Sequence, residues 1–568
     1  MQELEPTRGF LSSVDYTLTF GVGGVDTLQA VTVDWPDGRT SGMSHVGTNQ
    51  RLTIDTHDAR RATHERMTAP QPLFRDVTAQ VALDFVHQEN DFVDFDREQL
   101  IPRLVSTEGP FVTVGDVNGD GLDDFFIGGA KGQPGALFVQ QRDGRFVRSN
   151  PGLFEQDAVS EDLGAVFFDA DGDGHPDLYV VSGGSEYSPL APALQDRLYL
   201  NDGRRSGGGH FHKATGSLPA EDNSGSRVVA ADYDGDGDID LFVGGRVVPW
   251  RYGADPRSTL LQNDGHGHFT DVTRRLAPDL EHVGMVTDAV WRDVDGDGRP
   301  DLVVVGEWMP ITIFHNAGGG RLVRATTPGL ERSEGWWNRI VAGDFTGHGR
   351  VDFIVGNLGL NTRLHASDSE PVTMYAKDFN GAGPFEQIIS VYDQGTSYPI
   401  TMRDELLGAL PSLKARYPRY KDYANQTVRD IFSPQQLAGA VFKQARTFAT
   451  TLVRNNGNGS FTLVPLPHEA QLAPVYGILA GDVDRDGTID LLLAGNFDGV
   501  QPVIGAMMAS YGLLLRGDGG GRGNFMPVPA RESGFFVPGQ ARDIQRLRTA
   551  RGDLYIVARH NDRPLFFR

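Results

Sequence analysis

The sequence of 568 residues contains no cysteine. Disulfide bonds, zinc–thiolate sites and cysteine nucleophiles are therefore excluded. No apolar run reaches about 18 residues, the length that a transmembrane helix requires. The first residues, MQELEPTRGF, lack the apolar core of a signal peptide. We therefore expect no membrane span and see no secretion signal in this stretch.

Positive charge is also scarce. The chain has 52 Lys and Arg against 75 Asp and Glu, which gives a net charge of −23 at pH 7. A protein that binds nucleic acid normally presents a basic surface to the phosphates. We therefore expect no nucleic-acid partner.

Much of the acidity lies in a short motif, of which residues 232–240, DYDGDGDID, are the fullest example. Carboxylates occupy its first, third, fifth and ninth positions, and Gly237 stands sixth, where a sharp turn favours glycine. Alternate spacing lets a curled loop turn these oxygens inward. Like charges at this density favour a hard cation, and oxygen-only ligands predict Ca²⁺.

The motif occurs in five intact copies, and its predicted side-chain ligands hold the same four positions in each. These ligands are Asp116, Asn118, Asp120 and Asp124; Asp169, Asp171, Asp173 and Asp177; Asp232, Asp234, Asp236 and Asp240; Asp293, Asp295, Asp297 and Asp301; and Asp482, Asp484, Asp486 and Asp490. Two degraded copies are predicted to be weak metal sites at most. They keep Asp344 and Asp352, and Asp378, Asn380 and Glu386.

The EF-hand shares the DxDxDG start but requires a glutamate at position 12 and flanking helices. Position 12 here is Ile127, Val180, Val243, Val304 or Leu493. The flanking segments, such as FVTVG and DFFIGG around the first loop, are typical of strands. Each loop is therefore predicted to join two strands. A metal-free acidic turn is the alternative, which charge repulsion disfavours.

The loops recur at regular intervals, and each unit continues into a hairpin such as LLQNDGHGHF. Four-stranded units of this length are typical of propeller blades. We predict an all-β propeller over residues 73–568 with seven blades, or eight if the copy at 378 begins its own blade. Residues 74–78 are expected to pair with the last strand and close the ring. Residues 402–447 are predicted to be a helical insertion.

Residues 1–56 are predicted to be a small β unit, followed by a polar linker at 57–72. The segment VTVDWPDGRTSGMSHVGTNQRLTI resembles the ASPIC/UnbV motif, which accompanies propeller repeats in secreted bacterial and animal proteins. In many relatives this motif follows the repeats. Its place here leads us to expect that the chain is the C-terminal part of a longer protein.

The repeats GDVNGDGLDDFFIGG and DYDGDGDIDLFVGG resemble the FG-GAP/VCBS repeats of integrin-α-like propellers. The resemblance covers residues 73–568. It implies about five structural Ca²⁺ ions, with the backbone carbonyl of the seventh loop position as a further ligand. Those carbonyls would belong to Leu122, His175, Asp238, Arg299 and Thr488.

Propeller topology places the acidic loops on one face, and the segments that enter each inner strand or leave each second strand on the other. Large aromatic and arginine side chains occur in these opposite segments: Trp250, Arg251, Trp308, Trp336, Trp337, Arg339 and Phe497. We interpret them as a face for a protein or polysaccharide partner. The alternative is that they pack between blades or plug the channel.

Two functions fit these observations. The first is a calcium-binding module for adhesion or assembly, which is extracellular, on the cell surface or periplasmic. The second is a carbohydrate-active enzyme of the lyase or dehydratase type, with its site at the channel mouth opposite the loops. Its candidate groups are Glu307, Asp498, Arg339 and His210. The sequence has no GxSxG, HExxH or phosphate-loop motif at a credible position, which favours the binding module.

Overall fold

The computed structural model describes residues 2–5, 12–13, 15–61, 71–203, 209–220 and 223–568. The chain divides into two compact units, Met1–Gln71 and Pro72–Arg568. The α-helices of the described residues are short: Thr78–Val81, Pro151–Phe154, Thr273–Leu276, Arg403–Ala409, Tyr420–Tyr423, Val428–Ile431, Pro434–Leu437 and Ala530–Ser533. Single 3₁₀ turns cover Thr56–Asp58, Asp94–Asp96, Glu155–Asp157, Pro192–Leu194, Pro278–Leu280, Pro411–Leu413 and His468–Gln471. Among the described residues, the helices are all too short or too polar to cross a membrane.

The first unit contains a three-stranded antiparallel sheet of Thr27–Asp34, Arg39–Gly47 and Arg60–Arg61. A tight turn joins the first two strands: the Gly38 N–H donates to the Trp35 carbonyl at 2.9 Å, with Gly38 at φ 78°. The third strand lies beyond residue 56, because Arg61 pairs with Arg39. Residues 62–70 of the predicted linker lie outside the described part of the chain.

The second unit is all-β and propeller-like, with seven antiparallel sheets that we call blades 1 to 7. From the inner to the outer edge, blade 1 consists of Val112–Gly115, Asp124–Ile127, Ala136–Gln140 and Phe146–Ser149, and blade 2 consists of Glu161–Phe168, Asp177–Gly183, Arg197–Asn201 and Phe211–Lys213. Blade 3 consists of Ser224–Ala231, Asp240–Val247, Thr259–Asn263 and Phe269–Asp271, and blade 4 consists of Met285–Arg292, Asp301–Met309, Thr312–Asn316 and Leu322–Arg324. The short strand Gly335–Trp336 also pairs with the second strand of blade 4.

Blades 5 to 7 follow the same plan. Blade 5 consists of Arg339–Gly343, Asp352–Gly356, Thr451–Asn455 and Phe461–Pro465, and blade 6 consists of Val475–Gly481, Asp490–Gly495, Leu513–Gly517 and Phe525–Val528. Blade 7 consists of Ala541–Thr549, Gly552–Arg559 and Leu565–Phe567. Each inner strand contacts the next one, and the inner strand of blade 7 contacts that of blade 1. The inner strands therefore form a complete ring.

The beginning of this unit completes blade 7. Arg75 and Arg568 exchange two backbone hydrogen bonds of 2.9 and 3.0 Å, and Asp76 lies opposite Phe567. Pairing the first segment with the last strand confirms the closure that the sequence predicts. It leaves blade 7 without an open outer edge along this stretch.

The core consists of apolar layers between neighbouring blades. The second strand Asp240–Val247 is buried along its whole length, which explains why these strands read as continuous apolar runs. Leu241 and Val243 of blade 3 pack against Tyr179 and Val181 of blade 2. Each second strand is thus covered on both faces, as a propeller requires.

A large insertion separates the second and third strands of blade 5. It holds a four-stranded sheet in the order Thr396–Pro399, Glu386–Asp393, Val372–Lys377 and Val441–Ala445. The helical insertion predicted at 402–447 is only part of it: the helices end at Leu437, and residues 441–445 form a strand. The copy at 378 belongs to this inserted sheet, so the blades number seven in the described residues.

Candidate metal centres

The five intact acidic loops each join the inner strand of a blade to its second strand, in blades 1, 2, 3, 4 and 6. Inner strands run in the same direction around a propeller, so the loops lie together on one face. No helix flanks them in the described residues, which rules out the EF-hand arrangement.

Backbone hydrogen bonds fix the carboxylates of loop 232–240. Asp232 accepts from the N–H groups of Gly235 at 2.8 Å and Gly237 at 3.2 Å, one to each oxygen. Gly237 has φ 100°, which a residue with a Cβ resists. Asp236 accepts from the Asp238 N–H at 3.0 Å. The loop is therefore curled around its own carboxylates, as the spacing predicts.

The ninth position provides the test of whether a cation fits. Asp240 is fully buried; its Oδ1 accepts from the Asn263 N–H at 2.9 Å, and its Oδ2 has no hydrogen-bond partner among the described residues. Carboxylate oxygens of Asp232, Asp234 and Asp240 lie within 4.8 Å of one another. Burial raises the pKa of Asp240 to about 7, and repulsion from Asp234 adds to the rise. An orphaned buried oxygen among like charges suits a hard cation.

Converging carboxylates recur in other loops, but in the four other intact loops Oδ2 of the ninth residue accepts the backbone N–H of the second residue. Oxygens of Asp169, Asp171 and Asp177, and those of Asp293, Asp295 and Asp297, also lie within 4.8 Å of one another. Burial raises the pKa of Asp124 and of Asp177 to about 7. In every intact loop the N–H of the seventh residue donates to the carboxylate at position five, at 2.8–3.0 Å, which holds the peptide of Leu122, His175, Asp238, Arg299 or Thr488 in place.

In two of the loops, a basic side chain lies against a predicted ligand carboxylate. Arg516 Nε is 2.6 Å from Asp484 Oδ2. In loop 293–301, Arg299 pairs with Asp297, and His315 Nδ1 lies 3.5 Å from Asp301 Oδ1. Burial raises the pKa of Asp301, but His315 and the N–H groups of Asn316 and Val294 together lower it below the ordinary value, whereas Asp240 has no such basic neighbour. The negative charge of these two loops is therefore partly offset, unlike that of loop 232–240.

The two degraded loops keep the turn but have fewer acidic oxygens. Asp344 accepts from the N–H groups of His348 and Gly349, and Thr346 donates its hydroxyl to Asp352 at 2.7 Å. Thr346 thus gives Oδ2 of the ninth residue a hydroxyl donor, where four of the intact loops have only a backbone N–H. In the inserted sheet, Asp378 accepts three backbone N–H groups, and Asn380 bonds Glu386. Both remain predictions as weak sites.

Asparagines at the ends of third strands are a feature that the sequence analysis missed. Asn201, Asn263, Asn316 and Asn455 donate to the carbonyl of the second residue of the preceding blade's loop, at 2.9, 2.9, 2.5 and 3.4 Å. Their backbone N–H groups donate to the ninth residue of their own loop. The only sequence signal for these asparagines is the repeated LxLND-like pattern at the end of the third strand. The same pattern predicts an ordinary β-hairpin turn, so it does not by itself indicate a contact with the neighbouring loop.

The predicted partner face is largely buried. Trp308, Trp336, Trp337 and Phe497 are at most 2% exposed. Trp308, Trp336 and Phe497 pack in one cluster with Val372 and Met374 of the inserted sheet, and Trp337 packs between blades 4 and 5. The interpretation of these four side chains as a ligand platform is therefore wrong. Their positions agree with the alternative, in which these side chains pack inside the protein.

The remaining residues of that set have other contacts. Arg339 is buried and pairs with Asp543 at 2.8 Å and Asp288 at 3.5 Å inside the ring. Trp250 is half-buried, with the Arg97 guanidinium 4.7 Å from its ring centre. Arg251 is exposed. Only Arg251 and part of Trp250 could therefore meet a partner directly.

The residues considered for an enzyme site have separate partners. Glu307 is buried, and its two oxygens accept from Tyr252 Oη at 2.7 Å and Arg246 at 2.8 Å. Asp498 is exposed and bonds Gln540, and His210 lies in the outer hairpin of blade 2. These contacts give Glu307 a structural role in the described residues.

Comparisons with known proteins agree with this organisation. A family model described as "ASPIC and UnbV" matches residues 1–61, and one described as "FG-GAP-like repeat" matches residues 116–180, 182–243 and 293–355. Cartilage acidic protein 1 is 24% identical over 274 residues in mouse and in human, which is 45% of this chain. The match spans 41% of the mouse protein and 40% of the human one.

Solved structures that align with this chain include a lectin from Agrocybe aegerita that recognises non-reducing terminal N-acetylglucosamine. It has 16% identity and a TM-score of 0.40, over 80% of this chain and 85% of that one. Sqt1 from Saccharomyces cerevisiae has 10% identity and a TM-score of 0.39, over 83% and 98%. The two family models thus identify an ASPIC/UnbV segment at residues 1–61 and three FG-GAP-like repeats, which confirms both resemblances seen in the sequence.

Proposed function

We propose that the protein is a calcium-stabilised binding module for adhesion or assembly that works outside the cytoplasm, as a secreted, cell-surface or periplasmic protein. The observation that carries the proposal is the buried, unpartnered Oδ2 of Asp240 among the converging carboxylates of loop 232–240. The five intact loops would hold Ca²⁺ through positions one, three, five and nine and the carbonyl at position seven. The ion supplies charge neutralisation, and the loops supply no open ligand position for substrate chemistry.

Calcium would stabilise the propeller because it binds the folded loops and not the unfolded chain. Each site adds about 2.7 kcal/mol when free Ca²⁺ exceeds its Kd a hundredfold. The loops connect inner to second strands, so bound Ca²⁺ would stabilise the pairing of the two innermost strands of each blade. Removal of Ca²⁺ should therefore lower the melting temperature of the whole second unit.

The test compares the wild type with Asp236→Asn, with and without excess EGTA. We expect elemental analysis to find about five Ca²⁺ per chain, and the variant to bind one fewer and melt at a lower temperature. Asp143→Asn is the matched control, because Asp143 also accepts a backbone N–H in an exposed turn but belongs to no acidic loop. Calcium-free protein with an EGTA-insensitive melting curve would reject the proposal.

A partner would meet the face opposite the loops. Support comes from Tyr511 and Phe536, whose rings stack with centres 5.2 Å apart and 6° between planes, although they are 54% and 51% exposed. Tyr511 lies in the connection between the second and third strands of blade 6, and Phe536 lies in the connection from blade 6 to blade 7; both connections open on that face. A rigid exposed aromatic pair is typical of protein and glycan recognition.

Binding is tested with calcium-loaded protein on a glycan array. We expect a saturable glycan ligand that Tyr511→Ala weakens at least about tenfold. Met526→Ala is the control, because Met526 is equally exposed on the outer strand of blade 6. An array without any hit would reject a glycan ligand, and equal losses in both variants would reject the aromatic pair.

A further inference from the structure

Two histidines and a glutamate from distant parts of the chain meet on the face opposite the acidic loops. His87 and Glu89 precede blade 1, and His560 follows the second strand of blade 7. One ligand atom from each lies within 4.8 Å of the other two. Glu89 Oε1 is 3.8 Å from His87 Nε2 and 3.4 Å from His560 Nδ1. We call these three residues the His–Glu cluster.

The cluster is buried, and its polar atoms lack partners. The side chains of His87, Glu89 and His560 are 0%, 3% and 10% exposed. Neither oxygen of Glu89 nor Nε2 of His87 has a hydrogen-bond partner among the described residues. Burial of a carboxylate with both oxygens unbonded costs free energy of desolvation, and a bound cation would offset this cost.

A second carboxylate faces the same space. Glu161, at the start of the inner strand of blade 2, accepts the Lys131 N–H at 2.8 Å through Oε2, while Oε1 has no partner in the described chain. A Cβ built on Gly109 would lie 3.4 Å from His87 Nε2 and 3.8 Å from Glu161 Oε1. Glycine at this position therefore leaves open the space between the imidazole and the carboxylate.

The basic side chains near the cluster, Lys131 and Arg542, form their hydrogen bonds and ion pairs with other residues. Lys131 Nζ pairs with Glu186. Arg542 acts on Glu89 only through space, because its guanidinium donates to the Asn496 carbonyl and Gln540 at 3.0 Å. The carboxylates of Glu89 and Glu161 are thus left without a directly bonded positive group.

We propose that His87, Glu89 and His560, with Glu161 as a further oxygen ligand, bind a divalent transition-metal ion, at a site separate from the acidic loops. Imidazole nitrogen together with carboxylate oxygen suits ions such as Zn²⁺ and Co²⁺, whereas Ca²⁺ takes oxygen ligands only. The two ion classes would therefore occupy opposite faces of the propeller.

Binding requires small changes at the two rings. His87 Nδ1 now accepts the Asn561 N–H at 3.3 Å, so coordination through Nε2 places the ring proton on Nδ1 and breaks this long contact. His560 Nδ1 lies 3.2 Å from the Gly109 carbonyl and would turn from it toward the ion. Glu89 itself is anchored, because its N–H donates to Asn561 Oδ1 at 2.8 Å. The metal would thus replace three contacts of 3.1–3.3 Å, the third being that of His560 Nε2 with Asn561 Nδ2, because Nε2 carries the proton when Nδ1 binds the ion.

The experiment uses the full chain, stripped of metal and returned to excess Ca²⁺ so that the acidic loops are filled. Zn²⁺ is titrated by calorimetry, and Co²⁺ is added separately to read its visible absorption spectrum. We expect one further equivalent of Zn²⁺ and a Co²⁺ spectrum with nitrogen ligation. Glu89→Gln and His560→Ala should each weaken Zn²⁺ binding at least about tenfold.

His212→Ala is the matched control, because His212 is an exposed histidine that pairs with Asp202 away from the cluster. It should bind Zn²⁺ like the wild type. Glu89→Gln keeps the side-chain volume, so it remains informative if His560→Ala fails to fold. The proposal is overturned if the wild type takes up no stoichiometric Zn²⁺ in excess Ca²⁺, or if Glu89→Gln binds it with unchanged affinity.

Discussion

Asn263 of blade 3 donates its side-chain amide to the Ala170 carbonyl of blade 2 at 2.9 Å. Ala170 is the second residue of the acidic loop 169–177, and the Asn263 N–H holds Asp240 in loop 232–240 at 2.9 Å. One residue therefore connects two neighbouring candidate metal centres. Because blades 2, 4 and 5 carry the same asparagine, the loops are linked around much of the ring.

Asn263→Ala should destabilise the propeller and weaken calcium binding in loop 169–177. It removes one of the two donors to the buried Ala170 carbonyl, because the Gly267 N–H also donates to it at 2.9 Å, and the loss of one hydrogen bond costs about 0.5–1.5 kcal/mol. Urea unfolding measures the first effect and calcium titration the second. Asn456→Ala is the control, since Asn456 is exposed and bonds only Ser460 and Thr462 in its own hairpin. A destabilised variant with unchanged calcium affinity would show that the asparagine does not couple the loops.

Arg516→Gln should strengthen calcium binding in loop 482–490. The guanidinium lies 2.6 Å from Asp484 and competes with the ion for its oxygen. The side chain is 42% exposed, so water screens the pair and the gain is about 1 kcal/mol, or roughly fivefold in Kd. Calorimetric titration measures it, with Asp486→Asn used to identify the step that belongs to this loop.

Arg145→Gln is the control for that variant, because Arg145 pairs with Asp143 outside any acidic loop. It should leave every calcium step unchanged. If Arg516→Gln also leaves the titration unchanged, the ion in this loop does not use the Asp484 oxygen that the arginine contacts.

The acidic loops could be predicted because all their determinants are local. Spacing of carboxylates and one glycine define the curl of loop 232–240, and backbone N–H groups within the same loop complete it. The pairing of residues 74–78 with the last strand could also be predicted, because the segment repeats the sequence of an outer strand. Local pattern and repetition carry this part of the fold.

The opposite face could not be predicted in the same way. Topology gives the face on which Trp308 and Trp336 lie, but their burial depends on the inserted sheet, which covers them from elsewhere in the chain. The His–Glu cluster joins residue 87 to residue 560, a contact that only ring closure creates. Neither histidine has a sequence neighbourhood that marks it as a ligand beyond the short pattern His87-x-Glu89.

Glu98→Gln should remove a pH-dependent loss of stability from the second unit. Glu98 lies between blade 3 and the inserted sheet, where its Oε1 accepts from the Tyr252 N–H at 2.9 Å and Gln387 Nε2 at 3.1 Å. Burial raises its pKa from 4.5 to about 7. The folded protein therefore keeps the proton more tightly than the unfolded chain, so stability is greatest below pH 4.5 and falls as the pH rises to 7.

The full loss is about 3 kcal/mol, at 1.36 kcal/mol for each unit of pKa shift. Glutamine imitates the protonated acid and keeps the acceptor oxygen, so the variant's free energy of unfolding should exceed that of the wild type by less than about 1 kcal/mol at pH 5 and by about 3 kcal/mol at pH 8. Urea unfolding at both pH values, with Ca²⁺ present, measures the difference. Glu155→Gln, at an exposed position, is the control and should change stability equally at both. If Glu98→Gln also shows the same difference at pH 5 and pH 8, Glu98 is ionised in the folded protein throughout this range.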